Sequence, residues 1–143
     1  DFDFDTEPNE SYSLELLPGA ITDFFGETND TINFRLSTRS LADFGNLRMK
    51  LAGAIEYPVI MQLTDEQGNT KLEVYATESK TFEFNNIDPA KYYIRVIFDT
   101  NENTIWDTGS FLNNKQPERV LYYPDLIDVR ANWELEQTFT ISN

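Results

Sequence analysis

The chain has 143 residues, about one domain's worth, with 25 acidic against 11 basic side chains and a net charge of −14. It contains no cysteine and no histidine, which excludes disulfides, thiolate chemistry, zinc sites of the usual kind and every imidazole-dependent acid–base or triad mechanism. The acidic field repels phosphate backbones and anionic lipid, so neither nucleic acid nor direct membrane insertion is expected, while 40% apolar and 14% aromatic residues are enough to fill a core.

Apolar and polar residues alternate with a period of two along most of the chain, the pattern of half-buried strands. Asp1-Phe2-Asp3-Phe4-Asp5 reads as an acidic edge strand, its charges discouraging edge-to-edge pairing. Tyr12, Leu14 and Leu16 form the next run, then Ile32, Phe34 and Leu36. Between them Pro18-Gly19 and Gly26 to Asp30 are loops around a short apolar piece, Ala20 to Phe25. Alternation breaks between Thr38 and Gly45, which marks a boundary. Residues 1–42 are too few to be stable alone. They are either the tail of a preceding domain or extra strands of the following one, residues 43–143.

Five further strands follow, around Leu47–Leu51, Val59–Leu63, Leu72–Val74, Phe82–Phe84 and Tyr92–Phe98. Asp65-Glu66-Gln67-Gly68-Asn69 is a hairpin loop with Gly68 or Asn69 at positive φ, and Asp88-Pro89 presets a turn. Ile97 interrupts the alternation of the Tyr92–Phe98 run, which predicts burial on both faces and a central position. Val120–Tyr122, Val129–Trp133 and Leu135–Ile141 complete the series. Many short strands with no helical stripe predict an all-β chain folded as an antiparallel β-sandwich.

The segment from Tyr12 to Gly26, followed by Phe34-Arg35-Leu36-Ser37-Thr38, resembles the closing strands of bacterial Ig-like domains of the surface-layer type. The rest, with Lys91-Tyr92-Tyr93-Ile94-Arg95-Val96, the string Asp99-x-Asn101-x-Asn103-x-x-Trp106-Asp107-x-Gly109 and Gln116-Pro117-Glu118, is similar to the C-terminal region of Ig-like-domain envelope proteins, with prealbumin-like or collagen-adhesin B-type sandwiches. The resemblance implies an extracytoplasmic structural or adhesion module without catalysis. Its partners would be other domains of the same envelope protein, and carbohydrate or a surface protein.

One stretch carries the chemistry of a metal loop. Asp99, Asn101, Asn103 and Asp107 stand at positions one, three, five and nine, with the Ile105 carbonyl at position seven, the spacing that wraps oxygen donors around one calcium ion. Thr104 stands where such a loop uses glycine and Ser110 where it uses a bidentate glutamate. Glu102 or Glu118 is a substitute donor. The competing reading is a run of Asx turns in a long connecting loop.

Among the large amphipathic aromatics, Tyr75, Tyr93, Trp106, Tyr122, Tyr123 and Trp133, the expected role is core packing, with Tyr93, which alternation puts with Arg95 on the face opposite Tyr92 and Ile94, the one expected at the surface. The alternative is sugar binding through exposed rings, for which Trp106, Tyr122 and Tyr123 are the candidates. A glycosidase would need two convergent carboxylates at a cleft, which abundant acids do not by themselves specify; no enzyme is expected. Arg119 and Arg130 are expected to pair with carboxylates.

Overall fold

The computed structural model describes residues 4–141. Residues 1–41 and 42–143 form two compact units. The division falls inside the Thr38–Gly45 segment where the alternation stops.

In the first unit, β1 (Ser11–Leu16) and β2 (Ile32–Ser37) pair antiparallel with Tyr12 opposite Leu36, Leu14 opposite Phe34 and Leu16 opposite Ile32. Period two therefore collects these six side chains on one face and leaves Ser13, Glu15, Asn33 and Arg35 on the other. The connecting loop is tied by Asn29, whose Oδ1 accepts from the Ile21 N–H at 2.7 Å. Phe24 and Phe25 stand in it at 95% and 86% exposure. Of the acidic opening strand, Asp1–Asp3 lie outside the described residues, while Phe4 and Asp5 are irregular.

The second unit is the sandwich. After a single 3₁₀ turn at Leu41–Asp43 come β3 (Gly45–Gly53), β4 (Val59–Thr64), β5 (Thr70–Ala76), β6 (Thr81–Ile87), β7 (Ala90–Phe98), β8 (Val120–Tyr122), β9 (Ile127–Val129) and β10 (Glu134–Ile141). One sheet has the order β10-β3-β6 and the other β5-β4-β7-β8, with β9 also paired to β7. Side chains from both sheets meet in one core: Leu47, Met49 and Leu51 of β3 and Phe82 and Phe84 of β6 pack with Val59, Met61 and Leu63 of β4 and Ile94, Val96 and Phe98 of β7. Among the described residues no helix is long and apolar enough to cross a membrane.

Two expectations need correction. The pairing is not purely antiparallel, because β10 runs parallel to β3 from Glu134 opposite Asn46 to Ile141 opposite Gly53. Parallel neighbours need a long connection, and here the connection is the whole intervening domain. The expected strand Val129–Trp133 ends at Val129; Asn132 turns to φ 58° and donates its N–H to the Phe44 carbonyl at 2.8 Å, so Trp133 belongs to a turn.

The hairpin loop after β4 forms as anticipated, with Gly68 at φ 84°. The Asp65 carboxylate accepts from the N–H groups of Gln67 and Asn69 and pairs with Lys71 at 3.0 Å. These contacts hold its pKa well below the usual carboxylate range, with the Asn69 side chain the largest cause.

β7 is the central strand. It lies between β4 on one side and both β8 and β9 on the other, and Ile97 is fully buried. Ile60 and Ile97 are cross-strand partners outside the main core, whereas their neighbours Met61 and Val96 lie in it. They therefore form a second, smaller apolar layer on the sheet's outer face.

Candidate functional site

The connection from β7 to β8, residues 99–119, is folded around two buried carboxylates. Asp99 follows directly on β7, has no exposed surface, and accepts from the N–H of Asn103 at 3.2 Å and of Thr104 at 2.7 Å. Glu118, only 6% exposed, sits one residue before the chain returns toward β8. Its Oε1 accepts from the Thr100 N–H at 2.9 Å and its Oε2 from the Asp107 N–H at 3.1 Å. A buried carboxylate is tolerated only when its charge is met by donors. Both are met here by backbone N–H groups, and among the described residues neither forms an ion pair.

Between these anchors stands a polar ladder. The Asp107 Oδ2 accepts from the side-chain amide of Asn101, from that of Asn103 at 3.4 Å, and from the Lys115 ammonium at 2.9 Å. Asn101 Oδ1 accepts from the Asn103 N–H at 3.2 Å and Asn103 Oδ1 from the Ile105 N–H at 2.9 Å. Lys115 is the main reason the Asp107 pKa lies below its ordinary value, and Asp107 the main reason the Lys115 pKa lies above its own.

Of the five residues assigned to calcium, the structure brings Asn101, Asn103 and Asp107 together. Asp99 faces the N–H groups of the turn, and Ile105 contributes its N–H to Asn103. Among the described residues no three carboxylates converge as a metal-binding group. The fit to a calcium loop therefore rests on amide and carboxylate oxygens combined. One feature favours that fit: Thr104 adopts φ 65°, the sharp turn for which calcium loops use glycine at position six. A β-branched residue in this region is a true outlier, held there by the Asp99 hydrogen bond to its N–H. Ser110 does not act as a twelfth-position donor, because it pairs with Lys115 across a separate turn. Gly109 is required at that turn, with φ 79° and the Lys115 carbonyl 2.7 Å from where a Cβ would stand.

Sequence reasoning missed Lys115 entirely and left Glu118 unplaced. Lys115 could have been suspected as a basic residue within a loop carrying Asp99, Glu102, Asp107 and Glu118. No periodicity signals that Glu118 returns to the base of the loop.

Most of the aromatic set departs from the expected core packing, while Tyr93 is at the surface as its place opposite Tyr92 and Ile94 predicts. Tyr75, Tyr93, Trp106, Tyr122 and Trp133 are 38–62% exposed, and Tyr123 alone packs against the core. The Tyr123 ring meets Phe139 edge-on at 5.5 Å and its hydroxyl donates to Gln137. Of the three candidate sugar-binding residues, Trp106 and Tyr122 are at the surface and Tyr123 points the other way, because neighbours on a strand face opposite sides. Arg130 pairs with Asp128 at 2.8 Å, as expected; Arg119 lies over the Phe98 ring at 4.2 Å.

No known protein family matches the chain, and no curated protein is significantly similar to it.

Proposed function

We propose that the chain is a non-catalytic structural or adhesion module of a bacterial cell-envelope protein, an Ig-like or prealbumin-like sandwich outside the cytoplasm. Its role is mechanical. A rigid end is presented to neighbouring domains, to carbohydrate or to another surface protein, and the loop of residues 99–119 takes up calcium to stiffen that end. What supports the reading is how this long loop is held. A connection of such length is ordinarily a mobile surface segment, yet this one is pinned at both ends by the buried acids Asp99 and Glu118. The oxygens of Asn101, Asn103 and Asp107, which converge between those anchors, are the hard donors that calcium prefers.

Lys115 supplies the positive charge at Asp107. Calcium then competes with an internal ammonium, which keeps affinity within the weak range of about 0.1–1 mM typical of extracellular modules. Thermal melts with and without the metal test the reading. At calcium concentrations of about 10 to 100 times the dissociation constant the native state gains about 1.4 to 2.7 kcal/mol, so the melting temperature rises by several degrees over a sample in EDTA. Lys115→Met removes the competitor and enlarges that rise. A midpoint unchanged in both proteins by calcium at about 100 times the weakest of these dissociation constants, about 100 mM, removes the metal from the account.

A further inference from the structure

The outer face of the five-stranded sheet carries a row of side chains that the module reading leaves without a task. Register places Glu73 of β5, Gln62 of β4, Arg95 of β7 and Tyr122 of β8 side by side across four strands. Three of the four are linked. Gln62 Nε2 donates to Glu73 Oε2 at 3.0 Å and Arg95 Nε donates to Gln62 Oε1 at 2.7 Å. Three spacings of about 4.8 Å make the row about 14 Å long.

Flat rings border this polar line. Tyr122 ends it at 62% exposure, and Tyr93, two residues before Arg95 and so on the same face, is 42% exposed. Trp106 reaches the face from the 99–119 loop, 38% exposed, with the Arg95 guanidinium 5.9 Å from its ring centre. Its indole N–H is directed at the Glu118 carbonyl at 3.5 Å, which turns the ring's polar edge inward.

Exposed amphipathic rings around a pre-ordered line of hydrogen-bonding groups match one kind of ligand. A sugar ring has an apolar face of C–H groups that stacks on aromatic rings, and an equatorial rim of hydroxyls that both donate and accept. The line offers both functions: among the described residues Arg95 uses only its Nε, to Gln62, and its Nη2, to the Thr70 hydroxyl at 3.5 Å, and Glu73 uses only one oxygen. Charge narrows the choice. The Glu73 and Arg95 charges offset each other locally, and the net charge of −14 disfavours anionic polymers. We propose that this face, through Tyr93, Trp106 and Tyr122 with Gln62, Arg95 and Glu73, binds neutral oligosaccharides.

The inference names a ligand class for the adhesion role proposed above and rests on that role. Affinity electrophoresis of the full chain through gels containing β-glucan, xylan, mannan or, as an anionic control, alginate tests it. Retardation by at least one neutral polysaccharide is expected. Tyr93→Ala and Tyr122→Ala should each weaken it tenfold or more, with melting temperature and calcium response unchanged. No retardation by any neutral polymer, retention by alginate alone, or neutral binding that survives the Tyr93→Ala/Tyr122→Ala double variant overturns the inference. Release of reducing sugar from a retained polymer would leave glycan binding standing and sink the non-catalytic reading.

Discussion

Asp99 concentrates the local energetics of the loop. Its carboxylate lies fully buried at the end of the central strand, and its two oxygens meet the N–H groups of Asn103 and Thr104. Asp99→Ala orphans both donors and opens a small void, so it is expected to cost about 2–4 kcal/mol in a urea titration; a loss under about 0.5 kcal/mol would mean that water satisfies those groups. Asp107 makes a different prediction. Its folded-state pKa is lowered, chiefly by the Lys115 hydrogen bond, so the stability it contributes is complete above the unfolded carboxylate value and is lost as pH falls through the lower, folded one. Lys115 has the opposite sign: its raised pKa makes its contribution complete below the unfolded ammonium value and lost as pH climbs through the folded one. Between these two limits the pair is intact. A carboxyl NMR titration should therefore show Asp107 protonating below the ordinary aspartate range, and Lys115→Met should move it back upward.

At the scale of elements, β7 and the β1–β2 hairpin lie at opposite ends of a stability range. β7 is paired on both edges and buried along most of its length. From Arg95 to Ile97 it has a hydrogen-bonded neighbour on both sides, β4 and β8. The hairpin has two strands only, and Ile32, Phe34 and Leu36 remain 38–51% exposed on its apolar face. An isolated two-stranded sheet is marginal in water. Amides of β1 and β2 are thus expected to exchange at least a hundredfold faster than those of β4 and β7 in deuterium exchange. Equal protection would show that something covers the apolar face in solution. The parallel pair β3–β10 ends where Gly53 turns at φ 97°, with the Ile141 carbonyl 2.2 Å from the site of a Cβ. Only glycine lets the two backbones approach so closely there.

For the whole molecule the net charge of −14 is the dominant long-range term. Compaction draws those charges together, and the excess repulsion opposes folding. The exposed ladder of Glu83, Arg48, Glu136 and Lys50 on the three-stranded sheet works in the other direction, yet ion pairs of this exposure contribute little. Screening should therefore stabilise: raising NaCl from about 20 to about 500 mM shortens the screening length from about 20 to about 4 Å, and the melting temperature is expected to rise. A fall would mean that the surface pairs outweigh the repulsion.

Local alternation was enough to read nearly every strand, because a side-chain period of two is imposed by the backbone and needs no knowledge of partners. Leu47, Met49 and Leu51 announce their face wherever they pair, and Ile97 announced its double burial. Absence of cysteine and histidine bounded the chemistry for the same reason, since composition survives any fold. What alternation does not contain is partnership. That β10 lies parallel beside β3, that Glu118 returns to the foot of the loop begun by Asp99, that Lys115 stands at Asp107, and that Gln62, Arg95 and Tyr122 share one row all join residues distant along the chain. Only the tertiary structure decided these, because register and loop closure depend on how complete sheets pack, and no local pattern encodes that.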